Sequence, residues 1–202
     1  MKRSSLFAAL LSAAVVVGGV STQSYASEQV TCSADIGKLA INSLGKPLHK
    51  RAAPDNKTSG AVPHVQIGAV TDEAVNEDLR ELSFALPGVT KKPTIVSLPG
   101  ALGMWLMEGV DVARPKAIVS GREFAHIHTD GSLHAPLPPE RALELVELGW
   151  GERHPWADRF DGWEGFVMLF SPRSSEELAV VFQLIVESYN YVTGQSYGAS
   201  GC

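Results

Sequence analysis

The chain has 202 residues, with 17 lysines and arginines against 22 aspartates and glutamates, for a formal net charge of −5. That acidic balance, without a basic patch, excludes a nucleic-acid binder held by phosphate neutralisation. The length suits one domain with a real core and is too short to expect two.

The first residues follow the secretory pattern: Lys2 and Arg3, an apolar run from Leu6 to Val20, then Ser24-Tyr25-Ala26 as a cleavage site. The apolar run is short for a span of roughly 20 residues, so residues 1–26 read as a cleavable signal peptide rather than a retained anchor. The expectation is an exported protein, periplasmic or secreted, with no stable membrane insertion. Loss of Lys2 and Arg3 takes the net charge from −5 to −7. Cys32 and Cys202 lie near the two ends. An oxidising compartment permits a bridge between them; the alternative is two unpaired thiols.

Residues 27–63 read as a polar, partly flexible approach segment, rich in loop chemistry such as Pro54-Asp55-Asn56 and Ser59-Gly60. A helix is predicted from Thr71 to Leu86, with Val75, Leu79, Leu82 and Leu86 on one stripe and Pro87-Gly88 as its stop. Short strands are predicted at Thr94–Leu98, Leu102–Met107, Lys116–Val119 and Glu123–Thr129. In the last of these, alternation puts Phe124, His126 and His128 on one face and Ala125 and Ile127 on the other. Asp130-Gly131 reads as a two-residue hairpin turn, with Ser132–Leu137 returning. A second helix starts at Pro138-Pro139 and ends at Gly149, a buried strand covers Phe166–Phe170, and Ser174 with Glu177 caps a third helix through Val192. Tight turns between strands and one-sided helices give a two-layer α+β domain over residues 64–195, an antiparallel sheet with helices packed on one face, and a short tail at 196–202.

Chemistry concentrates between Arg122 and Pro155, which hold His126, His128, His134 and His154. Imidazole is both a common transition-metal ligand and the side chain that titrates nearest neutrality. Two functional readings therefore stand open. One is a metal site of His126, His128 and His134, with Glu123 completing it. The other is a metal-free acid/base site in which a histidine removes a proton from an acidic carbon or hydroxyl. The bland alternative is a set of unrelated strand histidines. Gly149-Trp150-Gly151 reads as a fixed turn presenting Trp150 beside Arg153 and His154, suited to a planar anion; the alternative plugs Trp150 into the core. His49 and His64 lie in polar connections and are expected to be solvated, unless they form a lid. Gly-x-Ser-x-Gly, dinucleotide and phosphate-loop motifs are absent.

These residues carry a resemblance. Arg122-Glu123-Phe124-Ala125-His126-Ile127-His128, Ser132-Leu133-His134, Gly149 to Pro155, and Phe170-Ser171-Pro172-Arg173 with the helix from Glu176 to Tyr191 resemble the luciferase-domain family that includes the fungal luciferases. The likeness covers most of residues 116–194. The fungal members oxidise a hydroxylated styryl-pyrone with molecular oxygen, and the family suggests no added organic cofactor. The resemblance implies His126, His128, His134 and His154 as base and hydrogen-bond donors, Glu123 orienting an imidazole and Arg153 steadying an anion; Trp150 and Arg122 are the expected substrate-binding residues. The turn between His128 and His134 is shorter than the fungal pattern, and a cleavable signal stands where the fungal enzymes carry an anchor. The expectation is an oxidoreductase or proton-abstracting enzyme on a small enolisable or phenolic molecule, without light emission and with oxygen as co-substrate. The alternative is an exported module that sequesters a metal ion or planar ligand without turnover.

Overall fold

The fold is organised by a six-stranded, wholly antiparallel sheet in the order β3-β4-β5-β6-β8-β7. It is seen in a computed structural model that describes residues 35–52, 56–69 and 71–198; the signal-like residues 1–26 and both cysteines lie outside them. The strands are β3 (Val89–Pro93), β4 (Leu102–Leu106), β5 (Glu123–Ile127), β6 (Leu133–Pro136), β7 (Gly151–Arg153) and β8 (Phe166–Leu169). A small hairpin of β1 (Lys57–Thr58) and β2 (Gln66–Ile67) stands apart from the sheet.

Helices back one face: α1 (Asp35–Ile41), α2 (Glu73–Phe84), α3 (Pro139–Glu147) and α4 (Ser175–Thr193). The expected α+β architecture, with an antiparallel sheet and helices on one face, is the one observed. Helix α4 is the centre of the core. Leu178, Val181, Leu184, Ile185, Tyr189 and Val192 are all buried, and α1, α2 and β6 pack against it. Ser174 accepts from the Glu177 backbone N–H. Glu177 reaches one residue further back than a capping box requires, to the Arg173 N–H. Among the described residues no helix is long and apolar enough to cross a membrane.

Several expectations are corrected. Part of the supposed approach segment is structured: Ala40 and Ile41 of α1 are buried in the core, and the hairpin that starts at Lys57 runs past residue 64. Thr94–Leu98 is loop, and the strand precedes it at Val89–Pro93. There the Glu123 carboxylate accepts from the Thr94 hydroxyl and takes the Ile95 N–H, while the Thr94 N–H still donates to Ala101 O. Lys116–Val119 opens as a 3-10 turn at Pro115–Ala117, since proline cannot donate to a strand ladder. The β5–β6 turn has three residues between His128 and Ser132, closed by His128 N donating to Ser132 O, with Gly131 at φ 82°. Gly151–Arg153 is an edge strand, not the exit of a turn.

The largest difference is on β5. Trp105 pairs with Glu123 and Met104 with Ala125, which leaves Phe124 as an extra residue in a bulge. The bulge turns Phe124 to the helical face, against Tyr189 of α4. It also brings Glu123 onto the same face as His126, which strict alternation forbids.

Candidate functional site

The face opposite the helices carries the histidines. His126 of β5 and His134 of β6 are direct cross-strand partners, His128 follows at the end of β5, and His154 follows β7. Phe166 of β8 stacks on His134, with ring centres 5.8 Å apart. The β1–β2 hairpin roofs this face and delivers His64, which is 3% exposed. The expectation of a solvated His64 is thus overturned. The hairpin is held down by Thr58, which donates to Glu152, and by Gln66, which bonds Ser171 through both its amide atoms.

Three imidazoles form a hydrogen-bonded line that a buried carboxylate faces at one end. Glu123 Oε1 faces His126 Nδ1 at 3.4 Å. His126 Nε2 lies 2.9 Å from His134 Nδ1, and His134 Nε2 lies 3.1 Å from His64 Nδ1. Beyond it, His64 Nε2 sits 3.7 Å from Glu152 Oε1. Glu123 is 0% exposed. Burial is the largest influence on its carboxyl and would raise its pKa. The donors His126, Thr94 and Ile95 outweigh burial and hold it below the usual carboxylate range, so it is ionised at neutral pH.

Proton positions follow from that charge. A neutral imidazole has one N–H and one lone pair. The Glu123 carboxylate orients the His126 proton onto Nδ1, so Nε2 accepts from His134 Nδ1–H. His134 Nε2 then accepts from His64 Nδ1–H, and the last lone pair emerges at His64 Nε2. Burial, reinforced by the neighbouring imidazoles, holds His134 well below its ordinary pKa. Burial also lowers His64, against the pull of Glu152. His134 and His64 are therefore neutral at pH 7.

Two flanking histidines have tautomers set by other partners. Ser132 Oγ donates to Asp130 Oδ1 at 2.7 Å and accepts from His128 Nδ1 at 2.9 Å. His128 Nε2 then presents a lone pair, buried and without a hydrogen-bond partner. His154 Nδ1 accepts from the Trp156 backbone N–H at 3.1 Å, so its proton lies on Nε2. Burial is the main cause that lowers both His128 and His154 to about 4.

His64, His126, His134 and His154 line a cavity of about 720 Å³, which is walled by Trp156, Phe160, Trp163 and Phe166. Its mouth includes exposed apolar residues: Val62, Val96, Leu98 and Phe160.

Of the residues singled out from the sequence, Glu123, His126, His128, His134 and His154 come together on one face. Trp150, Arg153 and Arg122 lie apart from this cluster. Trp150 is buried in the core, with Nε1 donating to His49 O at 2.7 Å. Arg153 is paired with Asp158 and bonds Glu164 O, bracing the loop after β7. Arg122 donates to the carbonyls of Leu106, Met107 and Val110 and ties β5 to the loop after β4. Sequence reasoning missed His64, Thr94 and the aromatic wall. Alternation by residue type misleads at His64: apolar Val65 and Ile67 should turn inward, yet His64 and Gln66 are buried while Val65 is half-buried and Ile67 exposed.

A helix-backed antiparallel sheet whose open face bears a histidine array under an aromatic pocket defines the class of domain. Residues 121–188 match the Luciferase domain family. The chain is 35% identical over 111 residues to the luciferases of Armillaria gallica and Armillaria mellea, covering 48% of this chain and 41% of each relative. It is 36% identical over 83 residues to the luciferase of Neonothopanus nambi, covering 38% of this chain and 30% of the relative. Over these residues the chain is similar to the Luciferase domain family, and it spans less than half the length of the relatives it matches. No solved structure matches it significantly.

Proposed function

We propose that this chain is a luciferase-related oxidoreductase that acts outside the cytoplasm on a small, planar, enolisable or phenolic molecule, with molecular oxygen as the oxidant. The observation that carries the reading is the opening of the imidazole array onto the aromatic-walled cavity. At about 720 Å³ the cavity falls within the range of small-molecule sites, and its apolar mouth suits a flat, weakly polar ligand. The relatives named luciferases support oxidation as the reaction class. Light emission and an organic cofactor are not part of the proposal.

In this reading the ligand stacks among Trp156, Trp163 and Phe166. His64, a lining residue of the cavity whose Nε2 carries the free lone pair, takes a proton from the ligand's hydroxyl or acidic carbon. Glu152, at 3.7 Å, stabilises the resulting imidazolium. His154, with its proton on Nε2, donates to the anionic oxygen left behind. The electron-rich anion then gives its electrons to oxygen, which is reduced.

The test is oxygen uptake with a panel of hydroxylated pyrones and phenols. Uptake stoichiometric with ligand is expected, and His64→Ala or His154→Ala should each lower kcat by about 10²-fold or more. If every oxidation survives replacement of His64, His126 and His154, the reading fails. Stoichiometric ligand binding without turnover would instead favour an exported binding module, which the convergence of histidines also suits.

A further inference from the structure

The line of imidazoles contains an electrostatic constraint at its centre. Glu123 directs the His126 Nε2 lone pair at His134 Nδ1, only 2.9 Å away. Something positive must lie between those two nitrogens: the His134 proton, or a cation in its place. Beside them is His128 Nε2, a second lone pair that is buried and unpartnered. His128 itself is 7% exposed. The ligand nitrogens of His126, His128 and His134 lie within 4.8 Å of one another.

We propose that His126 Nε2, His128 Nε2 and His134 Nδ1 bind one late first-row divalent transition-metal ion. Three neutral nitrogen donors without thiolate or a row of carboxylates suit zinc, cobalt, nickel, copper or iron, and not magnesium or calcium. Two nitrogens on one tetrahedral ion at about 2.0–2.1 Å are about 3.3 Å apart, so His126 and His134 need separate by only a few tenths of an ångström.

The outer partners fit this triad. A metal-bound imidazole donates its other N–H to an acceptor. His126 Nδ1 faces Glu123, His128 Nδ1 donates to Ser132, which is held by Asp130, and His134 Nε2 faces His64 Nδ1. A second cluster, His64, His134 and His154, has similar spacing but fails the same criterion. His154 Nδ1 is occupied by the Trp156 N–H, which keeps a proton on Nε2 and leaves no lone pair for an ion. The two histidine clusters look alike by distance and differ by tautomer.

Binding has a consequence for the pocket. With the ion on His134 Nδ1, the His134 proton moves to Nε2 and His64 must accept it at Nδ1. His64 then carries its own proton on Nε2, toward Glu152. The outer nitrogen of His64 changes from acceptor to donor, and the cation at His126 and His134 takes over as the positive partner of a bound anion. This inference goes beyond the oxidation reading, and its test needs no turnover, so either can fail alone.

The test is titration of the metal-free full chain with Co²⁺, followed by calorimetry and visible absorption. One ion per chain is expected. His128→Gln should weaken binding by more than the 10–100-fold that loss of an outer partner costs, and His64→Gln should fall within that range. His154→Ala should stay within about threefold of the parent. Thermal unfolding checks that each variant folds. Should His128→Gln not fold, Ser132→Ala replaces it, with a 10–100-fold loss expected from the freed tautomer. Absence of stoichiometric Co²⁺ on the parent overturns the proposal. So does a loss in His154→Ala that equals or exceeds the loss in His128→Gln or Ser132→Ala.

Discussion

Replacing Glu123 by glutamine keeps the shape of the side chain and removes its charge. The carboxylate accepts from Thr94 Oγ1 at 2.5 Å and Ile95 N at 3.0 Å, and faces His126 Nδ1 at 3.4 Å. Hydrogen bonds to a charged group are worth about 1.5–3 kcal/mol and neutral ones about 0.5–1.5. Two short bonds therefore lose about 1 kcal/mol each, and the longer contact adds little. The neutral amide is easier to bury, which offsets part of that loss, so Glu123→Gln should destabilise the domain by about 1–2 kcal/mol, or about 2–8 °C in Tm for a chain of this size. The side chain is fully buried, so solvent cannot restore the lost bonds. The amide also offers an NH₂ where the carboxylate offered only oxygen. Facing His126 Nδ1, it moves that ring's proton to Nε2 and closes the lone pair aimed at His134. Urea unfolding reads the stability, and long-range ¹H–¹⁵N correlation of the imidazoles reads the tautomer. Unchanged stability together with a His126 proton retained on Nδ1 would refute the derivation of the proton order along the array.

Three further outcomes are expected. Gly103 pairs with His126 across the ladder, and a Cβ there would lie 3.0 Å from the Glu123 carboxyl carbon and 2.6 Å from Trp105 Nε1. Gly103→Ala should therefore displace Glu123, costing about 1–3 kcal/mol and reproducing the His126 tautomer change by NMR. Burial pushes Glu177 up, but the Arg173 and Arg51 guanidiniums and the Arg173 N–H outweigh it and hold its pKa at about 2. A depressed carboxyl stabilises the fold above its unfolded pKa of about 4.3 and loses that contribution as pH falls toward 2. Glu177→Gln should accordingly lower stability by about 1–2 kcal/mol at pH 7, after allowance for solvent screening. The gap from the parent should close between about pH 4.3 and 2 in acid-unfolding curves. Trp150→Phe removes the bond to His49 O and leaves space in the core, so it should cost about 1–3 kcal/mol in denaturant. Ligand affinity per folded molecule should be unchanged, because Trp150 does not line the cavity.

The stripe of Val75, Leu79, Leu82 and Leu86, the cap at Ser174 and the apolar face of α4 made two long helices legible, because helix burial repeats locally in the chain. The His-x-His pair and its return at His134 were legible for the same reason: a strand and a tight turn place near neighbours in sequence side by side. What the sequence alone determined is thus the α+β class, the positions of α2, α3 and α4, and four of the five clustered histidines. The register decided the rest. The bulge at Phe124 inserts one residue and turns Glu123 to the histidine face, a change of side that period-2 reasoning cannot contain. His64 reaches the array only because its hairpin folds over the sheet, 70 residues in sequence from His134. Trp150, flanked by glycines, was ambiguous until packing buried it. Whether His128 or His154 offers a lone pair depends on one hydroxyl and one backbone N–H. Such partners are set by tertiary proximity, because hydrogen bonding acts over about 3 Å of space and is indifferent to separation along the chain.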